Sequence, residues 1–267
     1  MAMLAPAPAL AHGGGVGGLN GDAAIWIAQL IFTAAWFAYA WGAAHVRPTG
    51  PRRLAFHAAM LIGGLALFGP LDHWAEGSTA WHMLQHMLLM VVMAPLAVLA
   101  RPWPQWRAAT RGWFDPAWRA LARLVRRPMA CALLHAAAIW AWHAPGPYMA
   151  AVFDPTLHVL EHASFVSTAA LFWWSVFHAG RAGSLGALMA LLFTLMHTGL
   201  LGAVLTFARE PLYWRESREL WDQQLAGLVM WIPGGAAYIA AAAWVIASAL
   251  ARQHRAPAAR RWREAPP

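Results

Sequence analysis

The sequence predicts an all-α membrane protein: a bundle of seven transmembrane helices with the N-terminus outside and the C-terminus in the cytoplasm. Three observations carry this. Of the 267 residues, 60% are hydrophobic and only 11% charged, with a mean hydropathy of +0.46; a soluble domain carries roughly 25% charged residues. The apolar residues gather in stretches near the ~20 residues that cross a hydrocarbon core. They are too long and too continuously apolar for barrel strands, the other structure that lipid tolerates. The arginines, finally, fall almost entirely on alternate loops.

Residues 1–22 form a flexible N-terminal segment or the end of a signal peptide. Ala9-Leu10-Ala11 has the small-x-small form of a signal-peptidase site, and His12 and a glycine-rich stretch follow it. Cleavage after Ala11 would leave His12 as a terminal amine and imidazole able to chelate copper. The transmembrane domain is expected over 23–250, with spans at 23–45, 54–71, 80–100, 128–146, 157–178, 185–207 and 223–250. The second is the weakest, being short and rich in glycine. Residues 251–267 form a basic cytoplasmic tail.

Orientation follows from the loops. Arg47, Arg52 and Arg53 lie in the first loop, and seven arginines from Arg101 to Arg127 lie in the third. Arg181 is in the fifth, and Arg252, Arg255, Arg260, Arg261 and Arg263 are in the tail. Only Arg209, Arg215 and Arg218 fall on the other side. The positive-inside rule puts the larger set in the cytoplasm. The net charge of +8 therefore reads as a topology signal and an attraction to anionic lipid, not as a nucleic-acid footprint. Within loop 101–127, Trp118, Leu121, Leu124 and Val125 recur at helical spacing among arginines. That pattern predicts an interfacial helix over 117–127, with Trp103, Trp106 and Trp113 as further anchors.

Composition excludes several classes. All 19 basic residues are arginine, so no lysine is present to form a Schiff base or serve a P-loop. The single cysteine, Cys131, rules out an internal disulfide and any cysteine-built zinc or iron–sulfur site. Ser78, Ser164 and Ser175 lack any nucleophile–base context, and the chain is not expected to be an enzyme.

The 13 histidines and 12 methionines are the informative residues. His82 and His86 stand four apart near the outer end of the third span, and His158 and His162 four apart near the outer end of the fifth. Each pair shares a helix face, and the two can meet if their helices are neighbours. His143 ends the fourth span at the same level. Asp72 and His73, in the outer loop, are expected to form an outer entry point. Glu161 stands inside the second pair, placed to fix a histidine tautomer. His135 and His197 lie deeper. His45, His57, His178 and His254 belong to the cytoplasmic side and read as ordinary interface residues. Polar side chains inside lipid are costly and mark sites. Imidazole binds zinc, copper and iron, and the thioethers of Met83 and Met87 tilt the choice toward Cu(I). A structural polar network is the competing reading.

The string Trp81-His82-Met83-Leu84-Gln85-His86-Met87-Leu88-Leu89-Met90, running to Ala94-Pro95, resembles the signature of the CtaG family of membrane assembly factors for caa3-type cytochrome c oxidase. Four further segments are similar to that family: Trp142-His143-Ala144-Pro145 with Tyr148, His158-x-x-Glu161-His162 with Phe165, Met196-His197, and Asp222-Gln223-Gln224 leading to Met230-Trp231. The seventh span departs by carrying Ala226-Gly227 where paired glycines are expected.

The resemblance implies a multi-pass protein of a bacterial plasma membrane that helps assemble a haem–copper oxidase. Supply or insertion of copper on the outer side is the natural mechanism. The implied partners are oxidase subunits, membrane lipid and a periplasmic copper chaperone. On the residues alone, two alternatives stand. One is a haem b electron-transfer protein ligated by His86 with His162 or by His135 with His197. The other is a metal transporter with histidines along its path.

Overall fold

The computed structural model describes the backbone of residues 18–180, 183–213 and 219–264, with side chains described between 23 and 251. His12 lies outside the described residues, as do Arg181, Arg215 and Arg218 and the side chain of His254. Every regular element among the described residues is helical. In chain order they are α1 (Gly18–His45), α2 (Gly50–Phe68), α3 (Pro70–Glu76), α4 (Thr79–Met87), a π-helical turn (Leu88–Met93), α5 (Ala94–Ala100), α6 (Trp103–Ala109), α7 (Asp115–Leu124), α8 (Pro128–His143), α9 (Pro145–Phe153), α10 (Pro155–Phe177), α11 (Ser184–Thr206) and α12 (Leu220–Glu264).

Proline sets most of the boundaries. α3, α8, α9 and α10 each begin on one, where its fixed φ suits the first turn and its missing N–H costs nothing. Asp154 adds a cap to α10, accepting from the N–H groups of Thr156 at 2.7 Å and Leu157 at 3.2 Å.

Five segments are long and apolar enough to cross a membrane: Ala23–His45, Gly50–Glu76, Thr79–Ala100, Ser184–Thr206 and Leu220–Ala251. The other two predicted spans form helices of a different kind. α8 has 16 residues, short of the ~20 that cross unaided, because Pro145 ends the run and starts α9. α10 has 23 residues but gives positions in its first turns to His158, Glu161 and His162. The third span is not one continuous α-helix, since the π-turn interrupts it. α12 continues as helix to Glu264, through most of the expected tail.

Two close approaches tie the outer helices down. α11 packs on α12 through glycine: a Cβ on Gly227 would lie 2.5 Å from the Gly202 carbonyl oxygen and 2.4 Å from Thr206 Oγ1. Gly202 makes the same approach from α11, where a Cβ would lie 2.9 Å from the Gly227 carbonyl oxygen. At the other side, a Cβ on Gly42 would strike the backbone of Gln105. Gln105 Nε2 also donates to the Val46 carbonyl at 3.0 Å, joining α6 to the end of α1.

The loop 101–127 folds as two helices, where the sequence predicts one. α6 and α7 turn back on each other through Arg111 and Gly112, both at positive φ, and Arg107 pairs with Asp115 at 2.9 Å. Trp103, Trp118 and Trp174 stack in a row, at 4.3 Å and 4.2 Å, fixing α7 to α10. Trp106 packs inward, donating from Nε1 to the Ala35 carbonyl at 2.9 Å. Trp113 is the freely exposed member of the set.

Candidate metal centre

The predicted histidines come together. α4 presents His82 and His86 from one face, and α10 presents His158 and His162. Within each pair the ring centroids are 4.3 Å apart. Between the pairs, His82 lies 5.2 Å from His158 and His86 lies 5.1 Å from His162. One donor atom each from His82, His158, Glu161 and His162 falls within 4.8 Å of the others.

Glu161 is the centre of this group. It is fully buried, and neither carboxylate oxygen makes a hydrogen bond among the described residues. Its Oε2 is 3.8 Å from His82 Nε2, and its Oε1 is 3.8 Å from His86 Nε2. Both distances are too long for hydrogen bonds. They are somewhat wider than the spacing of two donors that share an ion, since ligands at ~2.1 Å with a tetrahedral angle stand ~3.4 Å apart. His162 Nε2 and both nitrogens of His86 are likewise buried without hydrogen bonds. A buried carboxylate and imidazoles left this way carry a desolvation cost that a bound cation removes.

His143 joins from α8. Its ring is 6.0 Å from that of His86, its Nδ1 meets the Ile139 carbonyl at 2.7 Å, and its Nε2 is 3.3 Å from Met83 Sδ. Phe165 walls the group, 4.7 Å from His86 and 5.9 Å from His143. Met87 faces elsewhere: its terminal methyl lies 2.8 Å from where a Cβ on Gly234 of α12 would be. Asp72 and His73 also stand apart from the cluster. Gln85 Nε2 donates to Asp72 Oδ1 at 2.8 Å, and the exposed His73 lies 3.6 Å from Glu76.

The helices are held in register by polar contacts. Asp222, at the start of α12, takes the Thr79 N–H and the Ser78 hydroxyl, both at 2.6 Å, and so caps α4 from across the bundle. One turn beyond His86, the π-turn frees the Met90 carbonyl, and Trp173 Nε1 of α10 donates to it at 2.7 Å. A π-turn beside a site is a recurrent association.

Residues 37–252 match the family model for cytochrome c oxidase caa3 assembly factors. The chain belongs to the Caa3_CtaG family. No curated protein and no solved structure matches it. The Caa3_CtaG match takes in every residue of the cluster, its walls and its braces.

The deeper pair forms a separate feature within this Caa3_CtaG chain. His135 Nδ1 contacts Thr168 Oγ1 at 2.9 Å, and its Nε2 and both nitrogens of His197 are buried without hydrogen bonds. The remaining histidines have local roles. His57 Nδ1 accepts from Trp36 Nε1 at 2.9 Å, and the rings of His45 and His178 meet carbonyls of their own helices. Cys131 is a buried packing residue.

Two tyrosines shape the side of the cluster near the start of α10 and were not singled out by residue chemistry. Tyr148 OH is 3.4 Å from His82 Nδ1. Tyr213, in the segment after α11, stacks on Tyr148 at 3.8 Å and donates to the His143 carbonyl at 3.0 Å. Burial, with Tyr148 and Glu161 nearby, holds the Tyr213 hydroxyl above the ordinary phenol range, so it remains a donor. A signal for them exists: tyrosine occurs only four times beside 18 tryptophans, and all four are buried.

Proposed function

We propose that this protein binds copper at the His82–His86–His158–Glu161–His162 cluster, on the outer side of a bacterial plasma membrane, and helps supply it to a caa3-type oxidase. The observation that carries this is the buried Glu161 carboxylate, unbonded at both oxygens and ringed by imidazoles. Copper is the cargo. The imidazoles hold it, Glu161 offsets its charge, and His143 with Met83 stands beside the cluster as a second donor pair. A transfer site must be labile, and one open to several neighbouring imidazoles exchanges ligands more readily than a closed one. Oxidase subunits are the acceptor, and a periplasmic copper chaperone is the donor partner.

In this reading the five long helices, α8 with α9, and α10 make seven crossings, with the arginine-rich loops and the tail in the cytoplasm. α7, clamped by its tryptophan stack, lies along the inner leaflet. Copper is favoured over haem at the cluster by space. The rings approach at 4.3–6.0 Å, which leaves no slot for a macrocycle. Copper rather than zinc follows from the family's oxidase and from the adjacent thioether.

Replacing His158 and His162 together with glutamine tests this. Cells carrying the variant should insert the protein normally and lose most oxidase activity, with partial recovery on added copper. Full oxidase activity without added copper would rule the function out.

A further inference from the structure

We propose that His143 and Met83 form a second copper position, selective for Cu(I), beside the histidine–glutamate cluster. Its place as the exit from that cluster rests on the function proposed above; its capacity to bind Cu(I) rests on its own geometry.

A carbonyl oxygen only accepts. The 2.7 Å contact of His143 Nδ1 with the Ile139 carbonyl therefore puts the ring hydrogen on Nδ1 and leaves the Nε2 lone pair free in the neutral imidazole. That lone pair points at Met83 Sδ, 3.3 Å away. A thioether has no hydrogen to give. Two lone-pair donors thus face each other, inside the bundle, with nothing between them to bond. An imidazolium would supply a hydrogen, but no carboxylate forms an ion pair with His143 among the described residues. A buried unpaired cation is costly.

A soft metal ion satisfies both atoms at once. With a metal–nitrogen bond of ~2.0 Å and a metal–sulfur bond of ~2.3 Å, donors at this spacing subtend roughly 100° at the ion. Imidazole with thioether prefers Cu(I) over zinc or magnesium. The pair carries no negative charge, so a monovalent ion leaves less uncompensated charge in a buried place than a divalent one. Met83 is fully buried and His143 nearly so. His86 stands between this pair and the cluster. Its ring is 6.0 Å from His143, and its Nε2 is 3.8 Å from Glu161 on the other side.

His86 therefore borders two donor sets of different character. Three imidazoles with a carboxylate accept divalent ions. Imidazole with thioether, shielded by Phe165, keeps Cu(I). Copper that arrives already as Cu(I) passes from the first set to the second, while divalent ions stay at the carboxylate-bearing set, so no electron is transferred.

The full-length protein in detergent, kept anaerobic, is titrated with Cu(I) against a chromophoric Cu(I) chelator, and the copper-loaded sample is examined by X-ray absorption. The wild type should show one copper–sulfur path. Met83→Leu should lose that path and bind Cu(I) at least tenfold more weakly, while Zn(II) binding is unchanged. His158→Gln with His162→Gln should weaken Zn(II) binding and retain the sulfur-ligated Cu(I). Should that double variant leave Zn(II) untouched while Met83→Leu behaves as expected, the cluster reading falls and the Cu(I) position stands. Selenomethionine-labelled wild type provides a check free of folding effects, since a copper–selenium path is required. Absence of that path, wild-type Cu(I) affinity in Met83→Leu, or loss of the sulfur path in the double variant would overturn the proposal.

Discussion

The Asp222 carboxylate accepts the Thr79 backbone N–H at 2.6 Å although 143 residues separate them. An acidic group at the start of a helix satisfies an orphan donor and meets the positive end of the helix dipole. Here the acid comes from α12, and the helix is the one that carries His82 and His86. A capping contact is thus also the clamp that sets the height of two metal-donor candidates.

Asp222→Ala should therefore destabilise the protein by roughly 2 kcal/mol, the range for a lost cap that leaves a buried N–H unpaired. Thermal unfolding in detergent should show a lower Tm, and copper affinity should fall with it. Asp222→Asn, which keeps one acceptor, should lie between. An unchanged Tm in Asp222→Ala would remove the clamp from the account.

Trp173→Phe keeps the ring contacts of α10 but removes the donor to the Met90 carbonyl. That carbonyl is buried and was released by the π-turn. A loss of about 1–3 kcal/mol is expected in the same unfolding assay. Equal stability of the two proteins would mean the π-turn needs no outside partner.

The glycine seam gives a paired test. Gly227→Ala places a Cβ against backbone atoms of α11, so the helices must separate, at a cost of about 1–3 kcal/mol. Gly235→Ala meets only Leu195 Cδ1 at 3.5 Å and should be neutral or slightly stabilising. Similar effects from both would contradict the close approach of α11 and α12.

Orientation is open to a direct check. A reporter active only outside the membrane should be active when fused after Asp154 and inactive when fused after Arg111. The reverse pattern would place the cluster on the cytoplasmic side.

The His-x-x-x-His pairs were legible because a four-residue spacing sets a shared helix face, and because depth can be counted along a span. Their meeting was conditional on helix neighbours, which spacing does not specify. Glu161 was visible as a supporting acceptor, but its oxygens lie among the donor atoms, a matter of side-chain direction. Met83 and Met87 read alike in the sequence and diverge in space, one toward His143 and the other toward Gly234. Asp222, Trp173 and Tyr213 act across the bundle on backbone groups. No local pattern marks such contacts, although Asp222 and Tyr148 did sit within the segments that resemble the family. The π-turn and the break between α8 and α9 escaped because hydropathy reports length, not hydrogen-bond pattern.

The central claim is that the outer histidine–glutamate cluster holds copper. The most direct test is copper content per chain, with an absorption spectrum of the same sample, for protein purified from its native membrane and for the His158→Gln, His162→Gln variant. The account predicts two coppers per fully loaded wild-type chain, loss of the cluster-bound one in the variant with the sulfur-ligated Cu(I) kept, and no Soret band in either. A Soret band without copper would favour the haem alternative, in which His135 and His197 are the available pair. Copper content unchanged in the variant would contradict the site.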